Sequence, residues 1–136
     1  MLIGIGIGAG LVMILASIVE TAARYGSLPD RVPIHVGLNG VPDRYGPRAA
    51  IWTLVAVELG TAGLFLVVGW LLATQAAPGR GHGAGFPIFA FAVLALLWRT
   101  QRLVLEAART GKADVRPFWL FFVVAFGVGT WAMVAL

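Results

Sequence analysis

Long apolar runs alternate with short polar breaks along the 136 residues, and the breaks fall where membrane-crossing helices would need them. The first run covers about 2–22, with Glu20 its only ionisable residue before Arg24. A second, about 49–74, contains one acid, Glu58; a third, about 86–105, has Pro87 in its first turn; a fourth, about 117–136, opens on Pro117. Each is close to the roughly 20 apolar residues that a hydrocarbon core of about 30 Å requires. The glycine-rich stretch Gly79-Arg80-Gly81-His82-Gly83-Ala84-Gly85 reads as a turn between the second and third runs, and Gly111 ends the third. The third run is apolar for 13 residues, Phe86 to Trp98, before Arg99 interrupts it. A full span there needs the guanidinium to snorkel toward the interface. The first run has no basic segment ahead of it, so it is expected to stay as a helix rather than be removed as a signal peptide. The pattern predicts an all-α integral membrane protein, with four transmembrane helices in a compact bundle forming one membrane domain over 1–136. A Pro/Gly-rich loop over 26–48 joins the first two helices.

Composition agrees with this reading, because 60% hydrophobic and 12% charged residues leave too little polar surface for a water-soluble domain. The absence of cysteine excludes disulfides, thiolate metal sites and a cysteine nucleophile. A net charge of +4 suggests nucleic acid only until its position is read. With four spans, the 26–48 loop and the third-to-fourth connection share one side. That side holds Arg24, Arg31, Arg44, Arg48, Arg99, Arg102, Arg109, Lys112 and Arg116, nine of the ten basic residues, against Arg80 on the other. This asymmetry is the ordinary one for membrane topology. It predicts a multi-pass protein of the cell membrane with loops 26–48 and 106–116 in the cytoplasm and both termini outside. The bilayer is the first expected partner, and no nucleic acid is expected.

Glycines and intramembrane charges refine the bundle. Gly4 with Gly8 and Gly6 with Gly10 form overlapping small-xxx-small pairs, a pattern that Gly60, Gly63, Gly127 and Gly129 extend. Close backbone approach replaces the hydrophobic drive that helix association lacks in lipid. These faces suit packing within the bundle, or contact with a protein partner or a second copy. Glu58 lies nine residues beyond Ala49, roughly 13 Å into its span. A charge at that depth costs about 2.5 kcal/mol or more unless it is paired or hydrated. Arg99 is the expected partner, Arg102 is free to pair with Glu106 at i,i+4, and Glu20 is the alternative partner for Arg99 or Arg24. Such charges either fix the register of the bundle or line a path for a proton, an ion or a ligand. Trp52, Trp70, Trp98, Trp119 and Trp131 read as interfacial anchors.

The loop carries the remaining chemistry. Pro29, Pro33, Pro42 and Pro47 forbid a continuous helix, and Asp30, Arg31, His35, Asp43 and Arg44 lie among them. His35, Asp30 and Asp43 with Glu58 or Glu20 are ligand types suited to zinc or manganese, yet their spacing matches no metal motif, and no metal or other cofactor is expected. His35 is expected to hydrogen-bond within the loop. Ser17, Ser27 and Thr53 have no nucleophile context, and the glycine runs lack the lysine of a phosphate loop. An enzyme is not expected.

The wording of the loop, Leu28-Pro29-Asp30, Pro33, His35, Gly40, Pro42-Asp43 and Tyr45-Gly46, resembles the signature of a bacterial membrane family known as domain of unknown function 1648. Val36, Gly37 and Arg48 depart from its usual residues. The resemblance covers the first span through the second. That domain also occurs in SdpI-type immunity proteins, which protect a producer from its own peptide toxin and can hold a repressor at the membrane. It implies a non-enzymatic membrane interaction protein with the loop as recognition element, and Pro29, Asp30, Pro33, His35, Gly40, Pro42, Asp43 and Tyr45 as its candidates. Two other expectations stand beside it: an accessory subunit of a larger membrane complex, and a small transporter or ion pathway built on Glu58 and Arg99.

Overall fold

The computed structural model describes residues 2–75 and 85–135, with side chains placed over 8–75 and 85–134. Gly79 to Ala84 of the glycine-rich turn, including Arg80 and His82, lie outside the described residues, and the surroundings of Gly4 and Gly6 lie outside them too. Four helices appear where hydropathy places them: α1 (Leu2–Tyr25), α2 (Trp52–Gln75), α3 (Gly85–Thr110) and α4 (Arg116–Ala135). All four are long and apolar enough to cross a membrane. Large apolar side chains stand exposed on their outer faces, Val12 and Leu15 on α1, Leu64 and Trp70 on α2, and Leu120 and Val123 on α4 among them. In water that distribution would be a liability; it is what a lipid-facing surface requires. The chain is a multi-pass membrane protein.

Local chemistry sets the helix ends. Gly111 adopts φ 76°, and its N–H closes on the Ala107 carbonyl at 2.9 Å, so α3 stops one residue earlier in a left-handed cap. Asp114 accepts the Arg116 N–H at 3.0 Å and caps α4, whose first turn contains Pro117. The third helix runs to Thr110, five residues past the expected limit near 105. At about 1.5 Å per residue it is roughly 39 Å long. Trp98 lies near the middle of α3. Its Nε1 is buried, and the Arg102 guanidinium lies 5.2 Å from its ring centre.

The helices are organised around α3. It packs against α1, α2 and α4, while α1 and α2 also touch each other and α4 leans chiefly on α3. Gly10 approaches Leu94, and Gly129 approaches Phe89 and Ala92, so two of the small residues serve close packing inside the chain.

The segment between α1 and α2 is more ordered than a Pro-rich loop. It folds as an antiparallel hairpin, β1 (Arg31–Val36) and β2 (Pro42–Pro47), followed by a 3-10 turn over Arg48–Ile51 that leads into α2. Prolines at 33, 42 and 47 are compatible with this because both strands of a two-stranded sheet are edges. The ladder is irregular between Pro33 and Val36.

Candidate functional site

The base of the hairpin is clamped twice by the same two residues. The Arg48 N–H donates to the Asp30 carbonyl at 2.9 Å, and the Arg48 guanidinium pairs with the Asp30 carboxylate. Beneath the clamp, Leu28, Val32 and Ile51 bury against Val104 and Leu105 of α3, with Tyr25 and Trp52 packed alongside. Tyr25 faces Trp52 at 6.1 Å and has the Arg48 guanidinium 6.0 Å above its ring. The hairpin is thus rooted where α1 ends, α2 begins and α3 passes.

Its turn is anchored separately. Gly40 has φ 78°, and a Cβ there would lie 2.0 Å from the Ala113 carbonyl oxygen. The Ala113 N–H donates to the Gly40 carbonyl at 2.9 Å, and Val36 packs on Leu103, Ala107 and Ala113. Glycine at 40 is required both by the backbone conformation and by this contact. Gly46 is a second close approach, its missing Cβ position 2.8 Å from the Ile34 side chain across the ladder.

Both acids of the loop are paired, Asp30 with Arg48 and Asp43 with His35. His35 Nδ1 and Asp43 Oδ1 stand 2.6 Å apart on the exposed face, and Arg31 donates to the Tyr45 carbonyl at 3.2 Å. A carboxylate on Nδ1 orients the imidazole and leaves Nε2 pointing away. The metal-type grouping of His35, Asp30, Asp43 and Glu58 or Glu20 does not assemble, because Asp30 is held by Arg48 and the two glutamates lie among the helices. Among the described residues no three His, Asp or Glu side chains come together. Beside these polar groups the hairpin also exposes apolar side chains: Leu38 is 78% exposed, and Ile34, Val41 and Tyr45 are exposed as well. Gly37, Leu38, Asn39, Val41, Pro42 and Asp43 line an open depression of about 500 Å³ at the tip.

The intramembrane charges are arranged differently from the expected pairing. Arg102 Nε approaches Glu20 Oε2 at 3.5 Å, linking α3 to α1, and takes the place of the expected Arg102–Glu106 pair within α3. Arg99 makes no ion pair among the described residues, so it is not the partner of Glu58. Glu58 is 1% exposed and faces Ser17, and neither of its oxygens has a hydrogen-bond partner among the described residues. The residue that sequence reasoning missed is Gln101. Completely buried in α3, it donates from Nε2 to Thr21 Oγ1 at 2.8 Å and to the Ile51 carbonyl at 3.1 Å. A neutral amide gives no charge signal, but Ser17, Thr21 and Gln101 are polar interruptions of apolar helices, which is a readable cue.

No curated protein and no solved structure matches the chain. Residues 12–59, which take in the later part of α1, the hairpin and the opening turns of α2, match the family described as Domain of unknown function (DUF1648).

Proposed function

We propose that the protein is a non-enzymatic membrane interaction protein, similar in role to immunity and signalling proteins of the SdpI type, with the hairpin over 31–47 as its recognition element. The exposed apolar tip carries this reading. Leu38 at 78% exposure, with Ile34, Val41 and Tyr45, sits on an element whose base and turn are both tied down. A preorganised hairpin whose two acids are already paired loses little conformational freedom on binding, so association needs little rearrangement. The concentration of basic residues on the hairpin side of the spans supports a cytoplasmic tip in this reading.

The test is a photo-crosslinking residue at Leu38 in native membranes. A discrete protein adduct is expected, and Tyr45→Asp together with Ile34→Asp should remove it. Adducts to lipid alone would refute the proposal. A second reading, an accessory subunit, is supported by Gly60, Gly63 and Gly127, where a Cβ would meet nothing within 4 Å. Those open small-residue positions on α2 and α4 suit another helix. Stoichiometric copurification of other membrane subunits in mild detergent would favour it, and a lone monomer or dimer would exclude it.

A further inference from the structure

Three helices turn polar side chains toward one another at the hairpin end of the spans. Ser17 and Thr21 stand four residues apart on one face of α1, Glu58 projects from the second turn of α2, and Gln101 comes from α3. All four are at most 1% exposed. The Gln101 amide nitrogen is satisfied by Thr21 and the Ile51 carbonyl. The oxygens are not: Gln101 Oε1, Ser17 Oγ and both oxygens of Glu58 are buried without a hydrogen-bond partner among the described residues, and Ser17 lies against the Glu58 carboxylate.

The cations nearest this seam are Arg24 at the end of α1 and Arg99 and Arg102 on α3, and none of them pairs with Glu58 among the described residues. On α1, Glu20 is one turn beyond Ser17 toward the hairpin, and Arg102 of α3 approaches it at 3.5 Å. Arg99 makes no ion pair among the described residues, and Glu106 lies more than a turn past Gln101. α2 contains no ionisable residue other than Glu58, and α4 has only Arg116 at its start. A bare carboxylate enclosed by lipid-spanning helices is strongly unfavourable, so Glu58 needs a cation. Among the described residues no three His, Asp or Glu side chains come together to hold a metal ion, whereas a proton needs one carboxylate and one acceptor.

We propose that Glu58 is a proton-binding site at the inner end of a polar seam, Ser17, Thr21, Gln101 and Glu20, that leads to the hairpin face. One proton adds to one Glu58 oxygen, the carboxyl O–H donates to Ser17 Oγ, and no other bond forms or breaks. Loss of the proton restores the charge and pushes the carboxylate toward the Ser17 hydroxyl as acceptor, so occupancy is coupled to the contact between α1 and α2. This site is independent of recognition by the hairpin tip.

Infrared difference spectroscopy across a pH titration tests it, using the full chain in lipid nanodiscs. The expected result is a carboxylic-acid C=O band that titrates, is lost in Glu58→Gln and moves in frequency in Ser17→Ala. The chain has three glutamates, Glu20, Glu58 and Glu106. If Glu58→Gln does not fold, carbonyl-labelled glutamate in wild type, Glu20→Gln and Glu106→Gln assigns the band by elimination. A band that survives Glu58→Gln, or that disappears with Glu20 or Glu106, overturns the proposal. So does a Glu58 carboxylate band that responds to sodium or potassium and not to pH.

Discussion

At Gln101 a single amide ties α3 to α1 through Thr21 and to the start of α2 through the Ile51 carbonyl. Replacing it by leucine leaves a buried hydroxyl and a buried carbonyl without their donor. Gln101→Leu is expected to lower stability by roughly 1–2 kcal/mol, read by reversible unfolding in bicelles. The charges make a sharper residue-scale test. A double-mutant cycle on Glu20 and Arg102 should show coupling of about 0.5–1 kcal/mol, while one on Glu58 and Arg99 should be additive within about 0.3 kcal/mol. Coupling in the second cycle alone would reverse the assignment made from the 3.5 Å contact. That Glu58 sits inside a span was legible, because an acid in an apolar run stands out. Its surroundings were not, because which face of α3 turns toward α1 depends on helix rotation, and neutral Gln101 competes there with more conspicuous arginines.

At the scale of the element, two left-handed glycines make different demands, and only Gly40 touches the hairpin's anchor. Gly40 needs a left-handed backbone and meets the Ala113 carbonyl, whereas Gly111 needs the left-handed backbone but has open space around its missing Cβ. Gly40→Ala should cost about 2 kcal/mol or more and expose the turn to limited proteolysis, while Gly111→Ala should cost about 1 kcal/mol and leave the turn protected. Equal effects would mean that contact with the α3–α4 connection does not hold the hairpin. Its strands left a cue in the sequence: Val32, Ile34 and Val36 alternate with polar or proline positions. Four prolines obscured the cue, and the irregular ladder between Pro33 and Val36 turns Ile34 outward, so alternation does not map cleanly onto burial. Asp30 and Arg48 are eighteen positions apart, and nothing local pairs them before the ladder forms.

For the whole molecule, a cysteine at Asn39 reports the orientation. In Asn39→Cys, a membrane-impermeant maleimide should label inverted vesicles and not intact cells; labelling of intact cells would place the hairpin outside and exclude a cytoplasmic partner. The sequence by itself determined the solvent, the number of spans and their approximate ends, because the hydrocarbon thickness selects runs of about 20 apolar residues wherever they occur and Gly111 and Pro117 punctuate locally. It also marked Glu58 and the Pro-rich segment as the unusual places. Only the tertiary structure decided that α3 is the central helix, that Arg102 rather than Arg99 meets an acid, and that the loop is a clamped hairpin. These are long-range matters, set by helix rotation and by ladder and backbone contacts between residues far apart in the chain. Hydropathy is blind to them because it records how apolar each position is and not which neighbour it faces.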